Sequence, residues 1–211
     1  RPRNSITLEN IVAAAIAIAD DEGLDALSVR RVAARIGCAP MSVYTHVPGR
    51  ADLELAMLEA VTARLDPQRD EADARTRLHA RLVSMHDLFA TARWALQLLI
   101  AGDLVPENSF AFADACIGDL LEVGIAPADA IYGYGLCWHL VLGELLDRHP
   151  AAPRLVDGVT QRESALRNLD LSRYPNYAHV IAVLDPADAP PPCQIERSLT
   201  VLLDGILSPR R

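Results

Sequence analysis

Residues 28–47, SVRRVAARIGCAPMSVYTHV, decide the fold of this chain, because they read as two short helices joined by a tight turn. Ser28 is a good N-cap for the first helix, whose apolar residues recur at helical spacing. Gly37 ends that helix, since glycine readily adopts the left-handed backbone that follows a helix end. Pro40 suits the first position of a second helix that ends near His46. This pattern is typical of a helix-turn-helix, which places its second helix in the major groove of DNA.

The composition favours an all-α protein. The chain has 211 residues, of which 51% are hydrophobic and 5% aromatic, and a length that allows one large or two small domains. The net charge of −8 does not indicate binding to nucleic acid. Residues 1–50, however, carry six Arg against five acidic residues, a balance of +1. An acidic body with a neutral-to-basic head is compatible with DNA binding at one end.

Several classes of protein find no support in the sequence. Four cysteines, Cys38, Cys116, Cys137 and Cys193, have neither metal-ligand nor redox spacing, which predicts reduced thiols and no metal or other cofactor. No signal peptide is apparent, so a cytoplasmic location is expected. The longest apolar run, 130–146, is shorter than the ~20 residues of a membrane span, so no membrane partner is expected. Without a nucleophile elbow, P-loop or HExxH motif, an enzyme is not expected.

Apolar periodicity predicts helices along the whole chain and no strand. In the head, Arg1-Pro2-Arg3 forms a short basic arm and Thr7 caps a first helix that runs to Glu22. A helix from about residue 50 to Pro67 connects the head to the body.

In the body, the predicted helices cover 73–90, 94–101, 106–124, 127–148, 159–169, 176–184 and 195–207. Loops are expected at 150–158 and at 185–192, DPADAPPP, where the prolines exclude a helix.

The head resembles the DNA-binding domain of the tetracycline repressor (TetR) family over residues 7–58. The motifs that carry the resemblance are Glu22-Gly23, Ala26-Leu27-Ser28-Val29-Arg30, Gly37 and Tyr44-x-His46-Val47. In the body, GIAPADAIYGYGLCWHLVLGELLDRH at 124–149 is similar to the long dimerisation helix of the same subfamily. The resemblance implies a three-helix DNA-binding domain at 1–50, a connecting helix at 51–66, and a domain for ligand binding and dimerisation at 67–211.

The resemblance implies that each head of a homodimer reads one half-site of a palindromic operator in double-stranded DNA. The residues expected to face bases or the groove wall are Arg30, Pro40, Met41, Ser42 and Tyr44. Those expected to contact phosphates are Ser28, Ser42, Thr45, His46 and Arg50. Without the motif, Arg30 reads as a solvated helix arginine and Tyr44 as a core residue. Ala39 departs from the family, because many members have a polar N-cap there.

The resemblance also implies a small-molecule pocket in the body. The candidate lining residues are His86, Phe89, Trp94, Gln97, Phe110, Cys116, Tyr134, Trp138 and His139. Taken singly, each reads more readily as a core residue, but together they hold many of the chain's aromatic side chains, as an apolar pocket does. The family's metal–tetracycline site needs a histidine near 97–101, where this chain has Leu98, Leu99 and Ile100. We therefore expect a hydrophobic, uncharged or weakly polar effector and no bound metal.

The sequence predicts a ligand-responsive transcriptional regulator, in the first place a repressor. Its expected partners are operator DNA, a small effector, and a second copy bound through the helices 127–148 and 195–207. The alternative is a DNA-binding architectural protein, or an activator, that has no small-molecule inducer. A filled body favours that alternative, and a pocket of a few hundred cubic ångströms opposes it.

Overall fold

The computed structural model describes residues 6–68, 73–102, 104–148, 155–156, 158–183 and 194–208. Within these ranges the chain forms eleven α-helices and one short antiparallel strand pair. The prediction of an all-α protein with an N-terminal helix-turn-helix domain and a larger helical body is confirmed. The predicted basic arm at 1–3, the linker at 185–192 and Cys193 lie outside the described residues.

The head consists of α1 (Leu8–Glu22), α2 (Val29–Ile36) and α3 (Pro40–Tyr44). Thr7 caps α1 by accepting a hydrogen bond from the Asn10 backbone N–H at 3.2 Å. Ser28 caps α2 in the same way, accepting from the Arg31 N–H at 3.2 Å. Both caps were predicted from the sequence, because the hydroxyl satisfies a first-turn N–H that has no partner within the helix.

The connecting helix α4 (Arg50–Thr62) is shorter than predicted, since its regular hydrogen bonding ends well before Pro67. Beyond it the chain tightens into i→i+3 turns, with the Leu65 N–H donating to the Thr62 carbonyl at 3.0 Å. A proline lacks the N–H that would continue the helix and disfavours helical geometry at the residue before it. Leu53, Met57 and Leu58 of this helix are fully buried, so α4 is an integral part of the core.

The body is organised around α5, which packs against four other helices. The helices of the body that precede the strands are α5 (Ala74–Thr91), α6 (Arg93–Ala101), α7 (Glu107–Glu122) and α8 (Pro127–Arg148). A buried ion pair between Arg81 of α5 and Asp119 of α7 fastens two of them together. Arg81 also donates to the Pro67 carbonyl at 2.7 Å, so this cluster fixes the chain just after α4.

The region after α8 corrects one expectation, because 150–158 was predicted as a loop and no strand was expected. Strands β1 (Leu155–Val156) and β2 (Val159–Thr160) pair antiparallel, with Val156 opposite Val159. The sequence signal for this turn is an Asp-Gly dipeptide at 157–158 between β-branched residues. The remaining helices are α9 (Gln161–Arg167), α10 (Pro175–Val183) and α11 (Ile195–Leu207).

In the part of the chain that the structure describes, two groups of side-chain hydrogen bonds join α1 and α4 to the body. The Trp94 indole N–H of α6 donates to Asp20 Oδ1 of α1 at 2.8 Å. The Glu59 carboxylate of α4 accepts from backbone N–H groups at the start of α7, including that of Asn108 at 3.1 Å. The position of the head is therefore tied to two different helices of the body.

Candidate DNA-binding surface and effector cavity

The recognition helix α3 is held in place from beneath and presents Met41 and Tyr44 outward. Val43 is fully buried against the head, whereas Met41 is 71% exposed and Tyr44 41% exposed. Gly37, which ends α2, has a φ of 74°, as expected for the left-handed residue of this turn. A five-residue helix has little stability alone. Its orientation therefore comes from the burial of Val43 and from the geometry of the turn.

All nine residues predicted to bind DNA lie on or near this helix-turn-helix. Ser42 is half-buried, and the others are exposed, namely Ser28, Arg30, Pro40, Met41, Tyr44, Thr45, His46 and Arg50. The Thr45 hydroxyl donates to the Ser42 carbonyl at 2.8 Å, which closes the end of α3. The role of each residue toward DNA stays a prediction, although the fold brings all of them to one end of the molecule.

The arginines of the head differ in what already binds them. Arg31 pairs with Glu22, and Arg35 with Asp21 at 2.7 Å, so both connect α2 to the end of α1. Arg30 points to solvent without a hydrogen bond or ion pair to any residue that the structure describes. Its guanidinium is therefore available for a base edge or a phosphate, whereas the other two have internal partners.

Arg50, predicted as a phosphate contact, has several internal partners of its own. Its guanidinium bonds Glu54 at 2.7 Å and donates to the carbonyls of Leu27 and Leu24 at 3.1 and 3.2 Å. These bonds fix the segment before α2 to the first turn of α4. Arg50 therefore positions the helix-turn-helix, whatever further contact it makes with DNA.

The body contains an apolar cavity of about 260 Å³ that is formed by α4, α5, α6, α7 and α8. It is open to solvent beside Val105 and Phe110, which are 61% and 63% exposed. Its wall residues are Thr62, Leu65, Met85, Phe89, Leu99, Val105, Ser109, Phe110, Phe112, Ala113, Tyr134 and Trp138. Phe89 and Trp138 pack edge to face with ring centroids 6.1 Å apart. A cavity of this size, lined by five aromatic rings and by no charged side chain, suits a small uncharged molecule.

Besides the indole N–H of Trp138, three hydroxyl groups are the polar side-chain groups of the wall. The Thr62 hydroxyl donates to the Leu58 carbonyl at 2.8 Å, and the Ser109 hydroxyl to the Pro106 carbonyl at 2.6 Å. Because each hydroxyl proton is bonded to a backbone carbonyl, the hydroxyl oxygens of Thr62 and Ser109 can only accept hydrogen bonds from a molecule in the cavity. Tyr134 has no hydrogen-bond partner among the described residues, and burial raises the pKa of its phenol. The neutral phenol can donate to a ligand.

Four of the nine predicted pocket residues line this cavity, namely Phe89, Phe110, Tyr134 and Trp138. Cys116 is fully buried but does not form part of the wall. The four others lie elsewhere. His86 is hydrogen-bonded to Glu144 at 2.7 Å, His139 is exposed, and Trp94 and Gln97 line a separate crevice against α1. These five assignments stay predictions.

Sequence reasoning missed the contribution of α4 and of the start of α7. Thr62 is the last residue of α4 and Leu65 lies in the turn after it, whereas Val105 and Ser109 come from the opposite wall. Small and aliphatic residues carry no signal that separates a cavity wall from a core. Their role follows only from the packing of α4 against α7.

A second surface feature is a groove of mixed polar and apolar character between α8 and α11, at the face predicted for dimerisation. Gly133 allows the two helices to approach closely, since a Cβ there would lie 3.3 Å from Ile206 Cγ2. Tyr132 and Val201 on the same groove are 60% and 66% exposed. Large exposed apolar side chains grouped in this way are typical of a surface that another molecule covers.

Family profiles match both parts of the chain. The profile described as "Bacterial regulatory proteins, tetR family" matches residues 11–57, and "Tetracyclin repressor-like, C-terminal domain" matches 66–209. The chain belongs to the TetR family. Members of this family are transcription factors and not enzymes. Of the described helices, none combines the length and the apolar character that crossing a membrane requires.

Individual TetR-family proteins are similar to parts or to the whole of the chain. The HTH-type transcriptional repressor DrrR1 of Streptomyces coeruleorubidus is 39% identical over 99 residues, which cover 46% of this chain and 37% of that repressor. Apo ActR of Streptomyces coelicolor is 26% identical, with a TM-score of 0.76 over 96% of this chain and 95% of ActR. ActR in complex with actinorhodin is 25% identical, with a TM-score of 0.76 over 97% and 96%.

Proposed function

We propose that this TetR-family protein is a transcriptional repressor that binds a palindromic operator as a homodimer and is released from it by a small apolar effector. The observation that carries the proposal is the cavity of about 260 Å³, whose wall includes the end of the same helix that follows the helix-turn-helix. A DNA-binding architectural protein without a ligand has no use for such a cavity, so the cavity counts against that alternative.

DNA binding is assigned to the exposed face of α3 and to the start of α2. Arg30 donates to a guanine edge, Met41 contacts a thymine methyl, and the hydroxyls of Ser42, Tyr44 and Thr45 bond phosphates or the groove wall. In the cytoplasm, two such heads bind half-sites one helical turn apart, about 34–36 Å. Because both heads must fit at once, a small change in their separation lowers affinity strongly.

Dimerisation is assigned to α8 and α11, which would form a four-helix bundle with the same helices of a second copy. The exposed Tyr132 and Val201 support this, and so do Gly135 and Gly143 of α8. A Cβ at either glycine would meet no heavy atom within 4 Å in the described parts of one chain. These positions leave room for a close approach by a partner helix.

The effector is assigned to the aromatic cavity, and its chemistry follows from the wall. Five aromatic rings and several aliphatic side chains favour a planar apolar molecule. The Tyr134 phenol requires a hydrogen-bond acceptor on that molecule, and the hydroxyls of Thr62 and Ser109 can accept from a donor. ActR has been crystallised with actinorhodin, which supports effector binding in the corresponding domain of this chain.

A selection experiment tests the proposal. Full-length protein is used to recover binding duplexes from a random library, and the recovered site is footprinted. We expect an inverted repeat bound by two chains, with half-site centres separated by about one helical turn. A direct repeat, a single half-site, or binding without sequence preference would contradict the proposed repressor.

A further inference from the structure

The hydrogen bonds between α4 and α7 form a reciprocal cap, here called the Glu59–Asn108 clasp. The Glu59 carboxylate accepts from the backbone N–H groups of Glu107 and Asn108, the latter at 3.1 Å. In return, the Asn108 side-chain amide donates to the Glu59 carbonyl at 3.1 Å and to its carboxylate at 2.8 Å. The two residues are 49 positions apart in the sequence, so the clasp is a purely tertiary feature.

The clasp replaces the cap that α7 lacks in its own sequence. Pro106 occupies the N-cap position, has no side-chain hydrogen-bonding group, and makes no cap. The Ser109 N–H donates to the Pro106 carbonyl at 3.2 Å, which leaves the N–H groups of Glu107 and Asn108 for Glu59. A carboxylate is well suited to this place, because the N-terminus of a helix carries a partial positive charge.

The other half of the clasp is made by the Glu59 backbone carbonyl at the C-terminal end of α4. The Glu59 carbonyl belongs to the last turn of that helix, where it already accepts from the Ala63 N–H at 2.9 Å. The Thr62 hydroxyl also approaches this carbonyl at 3.4 Å, and the Asn108 amide supplies a further donor. One pair of side chains thus joins the C-terminal turn of the helix that follows the DNA-binding head to the first turn of a body helix.

The clasp adjoins the proposed effector cavity on both sides. Thr62, one helical turn after Glu59, and Leu65 form part of the wall on the α4 side. Val105 and Ser109, which flank the first residues of α7, form part of it on the other side. A molecule that enters between these segments and moves them apart must lengthen the hydrogen bonds of the clasp.

The second contact between head and body is differently placed. The hydrogen bond from Trp94 to Asp20 joins α6 to α1, and neither residue belongs to the wall of the aromatic cavity. This bond holds the head against the body through two residues outside the cavity wall, although α6 also contributes Leu99 to that wall. It therefore provides a matched control for any effect of the clasp.

We infer that Glu59 is the positioning residue that transmits occupancy of the cavity to the DNA-binding head, by holding α4 to the start of α7. The inference rests on the proposed function, since it takes the aromatic cavity as the effector site. In the closed clasp α4 keeps the orientation that suits operator binding. When the cavity is filled, α7 withdraws from Glu59 and α4 is released. Because binding free energies are linked, operator binding in turn strengthens the clasp.

The first arm of the test uses N-phenyl-1-naphthylamine, an uncharged aromatic fluorophore, as the cavity probe. Operator affinity of the full chain is measured by fluorescence anisotropy with and without saturating probe, using a duplex recovered by selection. In the unsubstituted protein we expect the probe to lower affinity at least about fivefold, the lower end of common allosteric couplings. In Glu59→Ala we expect the factor to fall below about twofold while the probe still binds. Asp20→Ala, which breaks the other contact, should keep the full factor.

The second arm needs no probe. Hydrogen exchange is followed for peptides covering 105–110, with and without operator. We expect operator to slow exchange of the Glu107 and Asn108 amides at least about threefold in the unsubstituted protein and not in Glu59→Ala. Glu59→Gln, which keeps an acceptor oxygen but no charge, should lie between them. Circular dichroism confirms that each variant is folded.

The outcomes separate the inference from the proposed function. A probe that binds without changing operator affinity in the unsubstituted protein removes the cavity as the regulatory site and so overturns the proposed function. If the probe lowers the operator affinity of Glu59→Ala as much as that of the unsubstituted protein, the inference about the clasp is overturned but the proposed function is not. The same holds if operator binding leaves hydrogen exchange at 105–110 unchanged in the unsubstituted protein. If the probe does not bind, the exchange experiment decides. If Glu59→Ala does not fold, Glu59→Gln and Asn108→Ala take its place.

Discussion

The head and the body of this protein differ in what borders their buried cores. In the head and connecting helix, Ile11, Ile18, Val32, Val43 and Leu53 have no exposed surface. In the body, five aromatic rings surround a cavity of about 260 Å³. Burial of these side chains holds α3 in one orientation on the head. The body keeps space beside the end of α4 and the start of α7, which allows those segments to have more than one arrangement.

The largest effect is expected from a charge at the proposed dimer face. Val201→Glu changes a side chain that is 66% exposed in a single chain, so the fold of each chain should persist. A buried unpaired carboxylate in the bundle is costly, and we expect monomers and a loss of operator affinity of at least about a thousandfold, the lower end of the gap between specific and non-specific binding. Sedimentation and anisotropy measure both.

Met41→Glu, at the opposite end of the molecule, is the matched control for Val201→Glu. It places a carboxylate on the DNA-binding face, and we expect it to weaken operator binding while leaving the dimer intact. A Val201→Glu protein that still sediments as a stable dimer would show that the interface lies elsewhere.

A pair of leucine truncations tests the difference in packing. Leu53→Ala in the filled part should reduce the free energy of unfolding by about 2–5 kcal/mol, because the surrounding side chains cannot close the space. Leu99→Ala, on the cavity wall, should cost less than about 2 kcal/mol, since its side chain already lacks packing partners on one side. Denaturant titrations followed by circular dichroism give both values. Equal losses would remove the distinction between the two interiors.

Alanine substitutions of the arginines of α2 test whether Arg30, which has no partner among the described residues, contacts the bases of DNA. Arg30→Ala should cost about 1–3 kcal/mol of operator binding and relax preference at one base pair, as loss of a bidentate guanine contact does. Arg31→Ala removes a residue paired with Glu22 and should change affinity less than Arg30→Ala. Anisotropy titrations at one fixed salt concentration compare them. A larger loss for Arg31 would reverse the assignment.

The smallest expected effect tests whether water reaches the buried Cys137 thiol in the interior of the body. Burial raises the pKa of the Cys137 thiol from 9.0 to about 12. The neutral thiol is thus favoured in the folded state, and its contribution to stability is complete below pH 9 and is lost as the pH rises toward 12. At pH 9 this loss is about 0.4 kcal/mol for one thiol with these pKa values. Unfolding free energies at pH 7 and 9, compared with those of Cys137→Ala, measure it. Identical pH dependence in both proteins would indicate that water reaches the thiol.

The two regions also differ in how far the sequence predicts them. The caps at Thr7 and Ser28 and the turn at Gly37 depend on neighbouring residues, and all three were predicted with the correct helix boundaries. The aromatic residues of the body were predicted as a pocket, but only four of nine candidates line the cavity. Trp94 bonds Asp20 of the head instead, and no spacing in the sequence indicates that pair.

The sequence by itself therefore determined the helical class, the helix-turn-helix and the family, because these depend on periodicity, capping and short motifs. Only the tertiary structure decided which side chains surround the cavity, and that Glu59 caps α7 in place of a residue beside Pro106. The physical reason is that a cap or a cavity wall needs only the right atoms at the right distance. Residues 49 positions apart meet that need as well as adjacent ones, and leave no pattern along the chain.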